Sequence, residues 1–509
     1  MHALKDVKVV KGSVEQDEKA LQEEGLASER YVPRVMPSIV GGRDLLACYI
    51  VATFLITNAV LQATGGVVAL TYTILGAVAF FLPCVIATAQ LGAMYPHEGS
   101  LYNWTYHALG RFWGFFVGLC YWLSGVLAPV TAANAFVTIL AGLNNNWLTQ
   151  PWQQGCAMVI LLVFGSFLCT RRLRVVLNIV NVAALSLLVA VLVIVLAAGV
   201  WIWSGHGIQA DLLNGVSWRI DPNNFSLFSV VTLSFIGASG PMNMAGELRE
   251  PGNKRLTVAH LFGGTPVVFA CYFLVPFAIL VVFGQGLLGE AVPSFAGVHI
   301  IDMVFGKVVG SVIAVITLLS CLASIVFYIG AAARLLFVAG IDNFLPRNIA
   351  YLNKHRQPVV AIRFHTFAAL LVVVVVFVIL PYVVKFGTST SLVSRLYAVL
   401  SAVLTIIWTV ATAFYFINLL SLCFGKKWHE QLKKQKILPR PVLMLIVVVG
   451  LVTCLATVCT TFIYPWSDLI RRDIWIAAVG GITAVCLIIA INISMLAHSE
   501  ARWESMRDG

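Results

Sequence analysis

Charge is scarce in this chain: only 11% of its 509 residues are Asp, Glu, Lys or Arg, against about 25% in an ordinary soluble domain. A soluble core does not need the 60% of hydrophobic residues that stand in their place. Paired cysteines are missing too. The eleven are scattered singly through apolar runs, as at Cys48, Cys84, Cys120, Cys271, Cys321 and Cys454. None forms a CxxC or lies at metal-ligand spacing from a histidine, so they read as small buried hydrophobes, with neither a disulfide nor a metal expected. No HExxH, DxxD or histidine-rich set is present, which argues against a polytopic membrane enzyme. A channel would show rings of charge or a repeated filter sequence, and none is visible. No apolar run follows the first residue, so no cleavable signal peptide is read here, and no cofactor is called for.

Long charge-free runs take the place of all this: Leu45 to Pro96, Phe112 to Thr170, Pro222 to Gly246, Val308 to Ala333, Leu396 to Gly425 and Pro441 to Ser467. A helix crosses the hydrocarbon in about 20 residues, so the longest runs each hold two crossings and a turn. "GLNNNWLTQPW" (142–152) is such a turn. The pattern predicts twelve membrane helices, at about 44–66, 68–93, 112–141, 154–170, 175–203, 225–247, 258–284, 308–336, 362–384, 393–424, 441–464 and 473–497. The run from 308 is long enough to continue past the bilayer. The expected class is therefore an all-α polytopic membrane protein. Its flanks are a tail at 1–43, a basic loop at 425–440 and a tail at 498–509.

The net charge of +11 follows the membrane rather than a nucleic acid. If the N-terminus is cytoplasmic, 27 of the 33 Lys and Arg fall on the inner side, leaving only Arg219, Lys307, Lys385, Arg395, Arg471 and Arg472 outside. That asymmetry places both termini in the cytoplasm and calls for no nucleic-acid partner. The loop "GKKWHEQLKKQK" is suited to anionic lipid headgroups, or simply to fixing topology.

The sixth expected span ends in "SFIGASGPMNMAGELREPGNKR" (234–255), with three glycines and a proline before its first glutamate. Gly237 and Gly240 permit unusual dihedrals, and Pro241 cannot keep the regular helical bond. In hydrocarbon such a break is tolerated only where the freed backbone groups meet protein, water or a ligand. A proline kink or close packing through small residues fits the same letters. Transporters built from inverted repeats break the first helix of each half, and span 6 opens the second half if spans 1–5 form the first. The matching segment, "DLLACYIVATFLITNAVLQATGG" (44–66), brings Thr53, Thr57 and Asn58 into an apolar run but has no central glycine, so its break is weakly signalled.

Three stretches together carry a family resemblance. "AQLGAMYPHEGSLYNWTYHALGRFWGFFVGLCYW" (89–122) resembles the link between the second and third helices of the amino acid, polyamine and organocation (APC) transporters. The glycine-broken segment around 233–251 is similar to that family's sixth helix, with Glu247 and Pro251 at its inner end. "ARLLFVAGIDNFLPRNIAYLNKHRQPVVA" (333–361) resembles the end of helix 8 and the following loop. The order and spacing of the three cover about residues 40–425 and resemble bacterial amino acid permeases and antiporters.

The resemblance implies a leucine-transporter-like fold: 44–203 as the first repeat, 225–424 as its inverted counterpart, and two added helices at 441–497. It also implies multi-pass residence in the cell membrane, contact with lipid, and an amino acid or amine as the small-molecule partner, bound between broken helices 1 and 6 beside helices 3, 8 and 10. Carried over by position, the helix 6 element spans Leu233 to Gly240, with carbonyls near Leu233 and Ile236 facing an ammonium and Phe235 as an aromatic lid. Tyr328, in "SIVFYIGAAARLL", falls where a pocket aromatic would stand, and Ser124 and Gly125 fall level with the site. Ordinary interhelical packing is the competing reading for each. The glycine loop of the family's first helix is absent, so carboxylate contacts pass to Thr53 or Thr57 or are lost. Ser239 stands where many relatives have glutamate, and span 5 has no lysine, which closes two routes to proton linkage. Ser320 and Ser324 could donate oxygens to sodium or merely pack. Glu247, within reach of Arg249 and Arg334, is a candidate inner gate or a plain interfacial carboxylate. His97 and His107, in the link between spans 2 and 3, stand where titration could tune a gate.

The charge asymmetry makes a direct prediction about topology. In intact cells a cysteine replacing Asn146 should react with an impermeant maleimide, and one replacing Glu430 should not. The opposite pattern would invert the topology.

Overall fold

A computed structural model of the chain describes residues 25–144, 147–250, 253–289, 295–383, 389–424, 433–467 and 470–507. Within them, twelve helices are long and apolar enough to cross a membrane. They are numbered here as spans 1 to 12: Gly42–Ala63, Val68–Met94, Arg111–Leu143, Pro151–Cys169, Leu173–Trp203, Ser226–Glu247, Lys254–Phe283, Lys307–Ile341, Val359–Val383, Arg395–Leu422, Arg440–Ile463 and Arg472–Ser499. All twelve expected crossings are there, with ends shifted by a few residues. Span 8 does run on beyond the expected 336. The chain is a multi-pass integral membrane protein, helical almost throughout, and among the described residues only two isolated backbone bridges occur, Val40 with Leu248 and Leu352 with Pro358. The turn residues 145–146, Pro251 and most of the basic loop, 425–432, lie outside the described residues, as does most of the N-terminal tail.

Burial sorts the spans. In its most apolar stretch span 6 is 94% buried, whereas span 12 is 22% buried, so span 6 lies at the centre and span 12 at the rim. Lipid-facing stripes are apolar: Val182 and Leu185 on span 5 and Leu445, Val452 and Leu455 on span 11 are all exposed. That suits helices whose outer surface meets hydrocarbon rather than water. Spans 3 and 8 pack along each other closely enough that a Cβ built on Gly125 would lie 2.8 Å from the Ala332 Cβ.

Between spans 2 and 3 runs a short helix, Ser100–Leu109, turned into span 3 at Gly110, whose φ of +92° favours glycine. A second short helix, Ala27–Val35, lies across the same end of the bundle. Ser28 donates from its amide and its hydroxyl to Asp342, both at 2.8 Å, and Tyr102 donates to the same carboxylate at 2.9 Å. Burial pushes the Asp342 carboxyl up to about 6, against the pull of those Ser28 and Tyr102 bonds.

Candidate functional site

Two of the twelve spans are interrupted, and the interruptions face each other. Span 1 is helical over Gly42–Thr53 and again over Ile56–Ala63, with Phe54 and Leu55 extended between them. Span 6 is helical over Ser226–Phe235, turns at Ile236 and Gly237, and continues as a tight 3-10 helix over Gly240–Glu247. Gly237 has φ +118°, and a Cβ built there would stand 2.7 Å from the Ala52 carbonyl oxygen. Glycine is therefore required twice over, by dihedral and by space. The break in span 1, weakly signalled by its sequence, is as definite as the one in span 6.

The backbone groups freed in span 1 find partners on other helices. Tyr328 of span 8 donates its hydroxyl to the Ala52 carbonyl at 2.5 Å. Tyr272 of span 7 donates to the Thr53 carbonyl at 2.9 Å and accepts from the Leu55 amide at 3.2 Å. Ser324 donates to the Val51 carbonyl at 3.2 Å. Threonine 53 turns its hydroxyl back to the Tyr49 carbonyl at 2.6 Å. Each buried carbonyl left open would cost about 1–3 kcal/mol, so the aromatic hydroxyls hold the break in place.

A cavity of about 40 Å³ opens at this junction, lined by Val51, Ala52, Thr53, Leu55 and Asn58 of span 1 and by Leu233, Ser234 and Ile236 of span 6. Span 3 adds Ala128, Thr131 and Ala132, span 8 adds Ser324 and Tyr328, and span 10 adds Leu404 and Trp408. That volume holds waters only, so an amino acid can enter only as the helices part. No charged side chain is among the lining residues.

The residues singled out from sequence divide by position. Thr53, Leu233, Ile236 and Tyr328 line the cavity, and Gly237 closes against its wall. Thr57 is buried but does not line it. Ser124 and Gly125 lie about a turn from the span 3 lining residues; Ser124 bonds the Cys120 carbonyl and Gly125 faces Ala332. Phe235 is stacked on Phe81 at 4.8 Å and edge-on to Tyr272 at 5.4 Å, in contact with spans 2 and 7 rather than lidding the cavity. Gly240 packs beneath the Phe327 ring. Ser239 ties the break to spans 3 and 10 through the hydroxyls of Tyr121 and Tyr415. Ser320 donates to the Thr317 carbonyl at 2.7 Å. Sequence reasoning missed Trp408, which approaches Tyr121 and Tyr328 edge-on at about 6 Å between ring centres. It is one of several aromatics on span 10, and nothing in the letters sets it apart.

Glu247 and Arg334 are paired and almost wholly buried. Arg334 donates Nε to Glu247 Oε2 at 3.0 Å and Nη2 to both carboxylate oxygens at 2.8 Å. Arg249 does not join them: its Nε goes to the Ile39 carbonyl, and its amide to Val40. A third member was missed. Glu98 places Oε1 3.2 Å from Arg334 Nε and accepts from the Gly246 amide at 2.9 Å. The signal was available, since Glu98 is the sole acidic residue between Asp44 and Asp211. His107 meets Glu29 at 2.6 Å. Burial pushes the His97 imidazole below its usual range.

Residues 38–488 match a family model described as amino acid permease. Over 299 residues the chain is 28% identical to an uncharacterized transporter of Legionella pneumophila, covering 57% of this chain and 62% of that protein. It is 25% identical over 303 residues to the serine/threonine exchanger SteT of Bacillus subtilis, covering 57% and 65%. Similarity to the gamma-aminobutyric acid permease of Escherichia coli is 24% over 351 residues, covering 66% and 72%. The chain thus spans a little under two thirds of the length of the first two relatives.

Gly237→Ala should destabilise the protein by roughly 1–3 kcal/mol, the cost of a forced dihedral. Gly240→Ala should cost less, because there the neighbour is an aromatic ring at 3.2 Å and the backbone is unstrained. Thermal unfolding of the two variants in one detergent checks the order.

Proposed function

The chain belongs to the amino acid permease family, and from that premise we propose that it carries a neutral or weakly polar amino acid, or its amine product, across the membrane by alternating access. It works as an exchanger or facilitator and not as an enzyme. The observation that carries this reading is the meeting of two helix breaks at a cavity with no charged lining residue. Carbonyls at the breaks, from Ala52 to Ile236, suit an ammonium, and the start of the following helical segment suits a carboxylate. A zwitterion then needs no ionised side chain. The substrate's own side chain would meet Leu233, Leu404 and Trp408, whereas a permanent charge there would go unpaired and pay heavily for burial. The relatives named for serine, threonine and gamma-aminobutyric acid support a small zwitterionic cargo without net charge. Spans 1–5 and 6–10 are the two inverted repeats in this reading, both termini are cytoplasmic, and the protein resides in the cell membrane. Glu247 and Arg334 form its inner gate.

What surrounds the cavity supports exchange. Ser239 stands where the family resemblance implies a glutamate, and span 5 has no lysine, so neither position offers an ionisable group that has to return empty. Sodium symport is the second reading. It is favoured by Ser324, whose hydroxyl lies 3.2 Å from the Val51 carbonyl of the broken span 1.

Two measurements test this. Tyr328→Ala should weaken binding of the transported amino acid by roughly 1–3 kcal/mol through the lost aromatic wall, seen by calorimetry on the folded variant; unchanged affinity would make Tyr328 a packing residue. In proteoliposomes, labelled serine or gamma-aminobutyric acid should accumulate only against internal unlabelled substrate. Uphill uptake on a sodium gradient with no internal substrate, lost in Ser324→Ala, would replace exchange with symport.

A further inference from the structure

The ion cluster at the proposed inner gate does not balance. One guanidinium, Arg334, lies between two carboxylates, Glu98 and Glu247, and all three are buried, at 2%, 3% and 0% exposure. Among the described residues, the charged groups that act most on Glu98 are these two, Glu247 from the end of span 6 and Arg334 from span 8. The short helix Ala27–Val35 brings Val32 to the same spot, against Gly246, while its Glu29 is bonded to Asn103 and His107. His97, next along the chain, interacts with Glu29 and His107. Among the described residues, the ion pairs of both carboxylates are with Arg334.

Hydrogen bonding tells the two acids apart. An arginine Nε carries one hydrogen, and here it goes to Glu247 Oε2 at 3.0 Å, with Nη2 completing a bidentate pair. Glu98 Oε1 is left without a hydrogen bond although it is buried. Its other oxygen receives only the neutral Gly246 amide. A charged carboxylate with one neutral donor, its other oxygen 3.2 Å from a guanidinium nitrogen whose hydrogen is committed to Glu247, is costly in a low-dielectric setting, and a proton on that oxygen lowers the cost. Burial first, and Glu247 next, hold the Glu98 carboxyl well above the usual carboxylate range.

We propose that Glu98 is a proton-binding site of the inner gate, occupied while the gate is closed and emptied to the cytoplasm when it opens. This rests on the gate assigned above, and it adds a ligand to it. As the gate parts, the Glu98 carboxyl gains water, its O–H proton passes to solvent, and the resulting carboxylate is hydrated. The proton leaves by the face from which it came, so it regulates opening without crossing the membrane. The sign follows from linkage. The closed state holds the raised group, so its advantage is full below the ordinary carboxylate range and is lost as pH rises through the closed-state value. Alkaline cytoplasm opens the gate.

Cys169 reports on this directly. It is buried, donates its thiol to the Val326 carbonyl and lines a small cleft with Arg334 and Gln357. In full-length purified protein keeping Cys169 as its one cysteine, the rate of modification by a charged maleimide measures opening and needs no substrate. It is compared with Glu98→Gln, which keeps the acceptor for Gly246 but has nothing to titrate. The ratio of the Glu98 protein to the Gln variant should climb between pH 6 and 9, by up to tenfold per unit for one linked proton. Glu247→Gln balances the cluster by another route, and the ratio to it should climb likewise; it serves if Glu98→Gln does not fold. Ratios that stay constant over that range, or that fall, overturn the proposal. Labelling that behaves as expected in a protein that moves no amino acid would leave the proton site standing and sink the transport reading instead.

Discussion

Everything at the centre of this protein depends on one requirement: in hydrocarbon, a helix that stops being a helix must hand its amides and carbonyls to something else. Spans 1 and 6 both stop mid-membrane, and each supplies part of the other's solution. Gly237 leaves room for the Ala52 carbonyl to approach, and that carbonyl is then taken by Tyr328. Tyr272 serves both sides of the Phe54–Leu55 gap with one hydroxyl, as donor to Thr53 and acceptor from Leu55. The aromatic hydroxyls are thus structural before they are anything else. A ligand offering an ammonium and a carboxylate would compete for the same backbone groups, which gives the proposed site both its affinity and its means of sensing occupancy.

How far the letters disclosed this differs from element to element. The twelve spans were legible because hydrocarbon enforces long apolar helices whatever else the chain does. The break in span 6 was legible because glycine and proline mark it. The break in span 1 was nearly silent, since "IVATFLITN" has no helix breaker. There the interruption is imposed from outside, by Tyr272 and Tyr328, residues more than two hundred positions away. Phe235 and Ser124 show the limit in the other direction. Correct placement along a helix does not fix which face a side chain takes, and a residue or two of rotation separates cavity wall from helix contact. Trp408 could not be singled out, because its role arises only when span 10 meets spans 3 and 8.

The ion cluster repeats the lesson in electrostatic form. Glu247, at a helix end, could be matched to Arg249 or Arg334 from sequence, and folding selects Arg334, about two turns inside span 8. Glu98 looked like part of a loop motif, and only folding reveals that the link between spans 2 and 3 tucks it under span 6. Burying an ion pair is at best roughly neutral for stability, because desolvation offsets the attraction. A third charge makes the cluster worse as a fastener. An arrangement that is poor at holding a fold together is well suited to changing state, since small movements that admit water alter its energy steeply.

Site and cluster are also mechanically joined, which is why a gate there can respond to the cavity. Span 8 carries Ser324, Tyr328 and Arg334 within three turns of one continuous helix. The 3-10 segment Gly240–Glu247 connects the span 6 break to its carboxylate with no flexible joint beyond a kink at Met244. Spans 1 and 6 therefore meet span 8 at two levels, through Ala52 and Tyr328 at the cavity and through Glu247 and Arg334 at the end. A rigid movement of one pair of helices against span 8 that loosens the upper contact must strain the lower one. A ligand at the proposed site and a proton at Glu98 would then act on a single closed arrangement, and each would alter the affinity of the other by the same factor, as linkage requires.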